Sequence, residues 1–173
     1  MILLSERMLP ILRKFGEDVN FPIAHYETSL CKAWLSMKAD NAIDDYSQDA
    51  TICFELAPDM DEFDHPLKSY ALNTCLSIGL LMEFIAQSDD SSILEVAKLA
   101  YENVFMHVQE ILELEFVTKR TLTDIENHSS VQFELARMKT QIDFLDSLPE
   151  QVTEDALKAL KSYVLAMPPS PGS

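Results

Sequence analysis

One short stretch carries the side chains for metal chemistry. Pro58-Asp-Met-Asp-Glu-Phe-Asp-His-Pro66 sets Asp59, Asp61, Glu62 and Asp64 beside His65. Carboxylate oxygens with one imidazole can hold a divalent ion. The EF-hand template does not fit. Counting from Asp59, Phe63 stands at five, Asp64 replaces the glycine at six, and Tyr70 replaces the glutamate at twelve. The competing reading is structural. Acids ahead of a helix complement its macrodipole, with Asp64 as N-cap and Pro66 in the first turn. A third reading concerns partners. No Lys or Arg falls between Ala39 and Leu67, while Asp40, Asp44, Asp45, Asp49, Glu55, Asp59, Asp61, Glu62 and Asp64 do. Such a window attracts a basic protein.

Catalytic spacings are missing elsewhere. His25, His65, His107 and His128 are scattered, and the sequence has no HExxH, G-x-S-x-G or P-loop, nor the two Glu-x-x-His motifs of a four-helix di-iron site. Cys31 with His25, or Cys75 with His65, could be named nucleophile and base, but their spacing gives no geometric support. The three cysteines, Cys31, Cys53 and Cys75, lack CxxC spacing and sit among apolar neighbours. They read as free buried thiols in a reducing compartment. No cofactor is implied.

The acidic stretch opens the most apolar run in the chain. Between Leu67 and Gln87 only Lys68 and Glu83 are charged. Apolar residues cover nearly the whole circumference at helical spacing, which predicts a helix buried on several sides. The longest uncharged piece, Ser69 to Met82, is shorter than the roughly 18 residues of a membrane span. A core helix is therefore expected, and no membrane association.

The other elements also show helical periodicity. Met1–Phe15 reads as a helix kinked or broken at Pro10, with Gly16–Pro22 as a loop. Ile23–Met37 follows, with Trp34 as a core anchor, then Ile43–Ala57. Ile93–Glu115 has the longest register, through Leu94, Ala97, Tyr101, Val104, Phe105, Val108, Ile111 and Leu112, behind a Ser92/Glu95 capping box. Thr123 and Glu126 suggest a second box, and Ser129 or Ser130 a cap for the next helix. There Val131, Leu135, Met138, Ile142 and Leu145 step by four and three. This is a narrow seam of the coiled-coil kind, facing either the core or a partner. Thr153–Met167 closes the series after a break at Pro149.

An all-α fold follows: a single domain over residues 1–167, a bundle of about six to seven helices around 67–87, and a loose tail at 168–173. Only 3 of 173 residues are glycine, which argues against hairpins and glycine-rich phosphate loops. The formal net charge of −16 opposes nucleic acid and anionic membranes. It suits a cytoplasmic protein, and no signal peptide is visible.

Glu6-Arg7-Met8 with Pro10, then Phe15, Phe21 and Tyr26, form one cluster of recognisable residues. Asp61-Glu62-Phe63-Asp64, with Ala71 and Cys75, form a second, and Glu126-Asn127 a weaker third. In this order they resemble the YjaG-like bacterial family (domain of unknown function 416). The resemblance implies a compact, all-helical, cytoplasmic protein and carries no established activity. Ile11-Leu12 stands where the family usually has Asn-Tyr, and Phe21-Pro22-Ile23 where it has Phe-Gly-Asp. Members usually carry a further helix before Glu-Arg-Met, whose absence would leave apolar surface for a partner. The expectation is a non-catalytic protein acting by association, first with itself, with metal binding at 59–65 as the alternative.

Overall fold

The computed structural model describes residues 1–37, 46–88 and 91–146, together with 153, 155, 158–160 and 162. Among the described residues seven helices run in order, α1 Ile2–Val19, α2 Ala24–Ser36, α3 Tyr46–Glu55, α4 Lys68–Gln87, α5 Ser91–Ile111, α6 Lys119–Glu126 and α7 Ser129–Asp146, and residues 155, 158–160 and 162 are helical as well. No strand occurs among the described residues. Ile43, the expected start of the third helix, lies outside them. So do Pro149, most of Thr153–Met167 and the tail 168–173.

Helix α4 is the hub, packed against α1, α2, α3 and α5. Ala71, Cys75, Ile78, Leu81 and Met82 are buried in the main core with Leu12, Phe15, Tyr26, Leu30 and Trp34. Its polar positions also face protein. The Ser77 and Ser5 hydroxyls pair at 2.6 Å, and Thr74 Oγ1 donates to the Tyr70 carbonyl at 2.8 Å. Gly79 sets the α3–α4 spacing. A Cβ there would stand 2.5 Å from the Phe54 ring, so only glycine admits that approach. The length argument against a membrane span does not hold, since α4 is long and apolar enough to cross one. Its surroundings here are other helices.

Several local expectations are corrected. Pro10 does not break α1, which continues through Gly16 to Val19. Pro10 sits on the exposed side, where water can satisfy the carbonyl left without an amide partner. Asp64 does not cap α4. The cap position is Leu67, whose amide donates to His65 Nδ1 at 3.2 Å. The box on α6 is Thr118 with Thr121, because Thr118 has the extended backbone a cap requires. At α7, His128 Nδ1 accepts from the Ser130 amide at 3.2 Å. On α5 the inward face is Ser92, Val96, Ala100, Asn103, Val104 and Val108, while Leu94 is 74% exposed. The longest register thus contained residues that face water. A smaller core of Val104, Val108, Ile125 and Val131 joins α5, α6 and α7.

Candidate functional site

The acidic loop does not gather its carboxylates. Asp59, Asp61, Glu62 and Asp64 are each exposed. Asp59 Oδ1 accepts from the Asp61 amide at 2.9 Å, an Asx turn that stiffens the loop. Among the described residues no three His, Cys, Asp or Glu side chains are placed to share a metal ion. The anchored residues are the uncharged ones. Phe63 meets the Phe15 ring at 5.3 Å and the Phe21 ring at 6.0 Å. His65 packs edge-on to Phe15 at 5.4 Å and turns Nε2 to Asp18 at 3.4 Å. With Nδ1 accepting from Leu67, His65 is structurally engaged at both nitrogens.

The nucleophile–base pairs are not assembled either. His25 Nε2 lies 3.5 Å from the Ser29 hydroxyl and 3.4 Å from the Asp49 carbonyl oxygen. Cys31 is exposed, against expectation, because it lies beside the α2 stripe rather than in it. Cys53 and Cys75 are buried, and burial pushes their thiols up to about 11 and about 12. Neither is a thiolate at neutral pH.

The strongest electrostatic feature joins residues 127 positions apart in the sequence. Arg7 on α1 and Glu134 and Arg137 on α7 are all buried. Arg7 Nη2 donates to Glu134 Oε1 at 2.6 Å, and Arg137 Nη2 donates to the second oxygen, Oε2. One carboxylate therefore bridges two guanidiniums. Burial lowers the Arg7 pKa to about 10; Glu134 opposes that shift and Arg137 adds to it. Arg7 Nε and Nη1 have no hydrogen-bond partner among the described residues. Both oxygens of the Glu134 carboxylate are thus already occupied by guanidinium donors. What the cluster can do is orient α7.

That orientation differs from the one the seam suggests. The inward residues of α7 are Val131, Glu134, Arg137 and Gln141. At ~100° per residue this face lies roughly a quarter turn from the seam. Val131, on the shared border, is buried and Met138 half-buried, whereas Leu135 is 42% and Ile142 58% exposed. The side chain of Leu145 lies outside the described residues. Sequence reasoning missed the cluster, although Glu134, Arg137 and Gln141 form a polar stripe at the same helical spacing.

The motif residues now have physical roles. Glu6 accepts from Trp34 Nε1 at 2.9 Å, Arg7 holds Glu134, and Met8 lies in the core. The profile of the family described as "Protein of unknown function (DUF416)" matches residues 1–168. A crystal structure of a DUF416 family protein from Shewanella baltica OS155 superimposes with a TM-score of 0.83 at 19% sequence identity. The match covers 95% of this chain and 84% of that one, and at such identity it speaks for the fold alone. No curated protein matches the chain. The chain belongs to the DUF416 family of proteins of unknown function.

Proposed function

We propose that this is a non-catalytic helical protein that acts by association, first with a second copy of itself, through the outer edge of α7. The observation that carries the proposal is the rotation of that helix. Its polar stripe is turned inward onto Arg7, which leaves Leu135 and Ile142 in water at a spacing of seven residues. Helices meet along such a stripe.

Charge favours the same face. Residues 119–146 hold four bases, Lys119, Arg120, Arg137 and Lys139, against five acids, Asp124, Glu126, Glu134, Asp143 and Asp146. The whole chain carries −16. Two copies therefore repel least where α6 and α7 face outward.

The expected association is weak. Covering a Leu or Ile side chain that is already half hidden contributes about 1 kcal/mol. Four such side chains in a symmetric pair give about 4 kcal/mol, near the lower end of the cost of association. Sedimentation velocity across the micromolar range should show concentration-dependent dimer. Leu135→Glu with Ile142→Glu should abolish it without lowering the unfolding temperature. A single monomeric species at the highest soluble concentration would end the reading.

A further inference from the structure

We propose that the corner where α5 ends is a docking surface for a basic amphipathic polypeptide segment from another protein. It rests on no part of α7, and it lies outside the acid-rich stretch 39–67.

The corner has a defined shape. After Ile111 the chain turns through Glu113, which has φ 52°. The Glu113 amide donates to the Glu110 carbonyl and the Leu114 amide to the Gln109 carbonyl, both at 3.0 Å. The Gln109 side-chain amide returns a bond to the Leu114 carbonyl at 3.2 Å. This is a Schellman-type end with a non-glycine residue in the left-handed region, which costs ~1–2 kcal/mol. The turn packs Leu114 onto the Val104–Val108 core. Two residues on, Phe116 is 78% exposed, and Ile111 and Val117 are exposed as well.

The residues of the same turn line a cleft of about 330 Å³. Met106 and Leu114 supply its apolar lining, and Glu110, Glu113 and Glu115 its carboxylates. No base lines it. Glu110 accepts from the Tyr70 hydroxyl at 2.9 Å, and burial with this bond raises the tyrosine pKa. Glu113 and Glu115 form no ion pair among the described residues.

Charge complementarity selects the occupant. A second copy would bring the same glutamates on a chain of −16, and phosphate backbones and anionic lipids are repelled likewise. A helix with apolar residues on one side and Lys or Arg at its edge satisfies both halves of the surface. The aromatic would enter its apolar stripe while the carboxylates receive its cations.

The test is fluorescence anisotropy of a labelled Leu/Lys amphipathic peptide titrated with the full chain, beside a Leu/Glu peptide of the same pattern. An acidic protein attracts any polycation, so the variants carry the decision. Glu113→Gln with Glu115→Gln is compared with Asp61→Asn with Glu62→Gln, which removes equal charge elsewhere. The corner pair and Phe116→Ser should each weaken Leu/Lys binding about tenfold, and the control pair less than about twofold. Circular dichroism melts show whether these surface variants stay folded. Equal losses from both charge pairs would mean diffuse attraction and overturn the proposal. So would an absence of binding, equal affinity for the Leu/Glu peptide, or a Phe116→Ser variant that changes sedimentation but not peptide affinity.

Discussion

Removing either partner of the Arg7–Glu134 bridge should have unequal consequences. Glu134 is fully buried and Arg7 nearly so. Losing one member of a buried ion pair costs about 3–5 kcal/mol, because the other charge stays in low dielectric without compensation. Glu134→Gln is the severe case. It keeps the shape but removes the carboxylate shared by Arg7 and Arg137, so two guanidiniums face each other across a neutral amide. The lowering of the Arg7 pKa shows the direction, since Glu134 is what supports its charged form. Arg7→Met is the mild case. Glu134 keeps its bond to Arg137, and methionine fills much of the space with apolar atoms. Exchanging buried charge for apolar volume is often neutral or stabilising, so about 0–2 kcal/mol is expected.

Urea unfolding followed by circular dichroism measures both. Against a domain stability of about 5–15 kcal/mol, Glu134→Gln should lower the midpoint far more than Arg7→Met. The double variant should be less destabilised than the sum, because removing Arg7 relieves the repulsion that Glu134→Gln creates. If Arg7→Met were the more damaging change, the bridging carboxylate would not be the keystone of α7 docking.

Other outcomes are open to direct measurement. Gly79→Ala places a methyl 2.5 Å from the Phe54 ring, so a loss of about 1–3 kcal/mol is expected in the same assay; an unchanged midpoint would mean that α3 shifts freely. An aromatic disulfide reagent at neutral pH should titrate Cys31 alone, with Cys53 and Cys75 appearing only in denaturant. Because the folded thiols titrate at about 11 and about 12 and the ordinary value is 9.0, the unfolded chain ionises first. Stability should therefore fall as pH rises from about 9 through 12, and Cys53→Ala with Cys75→Ala should flatten that fall. Calorimetric titration with Mg²⁺, Ca²⁺, Mn²⁺ or Zn²⁺ should give no saturable heat. An isotherm that Asp61→Asn with Asp64→Asn abolishes would restore the acidic loop as a metal site.

The architecture was legible because burial on many sides leaves a mark in one stretch. A helix with apolar residues around its circumference has to be surrounded, and α4 is. Boundaries were less legible, because caps depend on backbone conformation that residue type alone does not fix. His65 and His128 accept amide protons where a carboxylate and a serine were expected, and Pro10 is tolerated because its side of α1 faces water.

The α7 result has a more general cause. Apolar periodicity identifies the inward face only when the contacted surface is itself apolar. Arg7 offers α7 a buried cation instead, and a carboxylate at 2.6 Å meets that demand better than leucine. Glu134 therefore turns inward, Arg137 follows to share it, and the apolar stripe is rotated toward solvent. A local reading of residues 129–146 cannot find this, because the deciding residue lies 127 positions earlier in the chain. The Glu-Arg-Met motif and the exposed edge of α7 are thus one feature: the buried arginine near the start of the sequence determines which surface α7 turns to solvent.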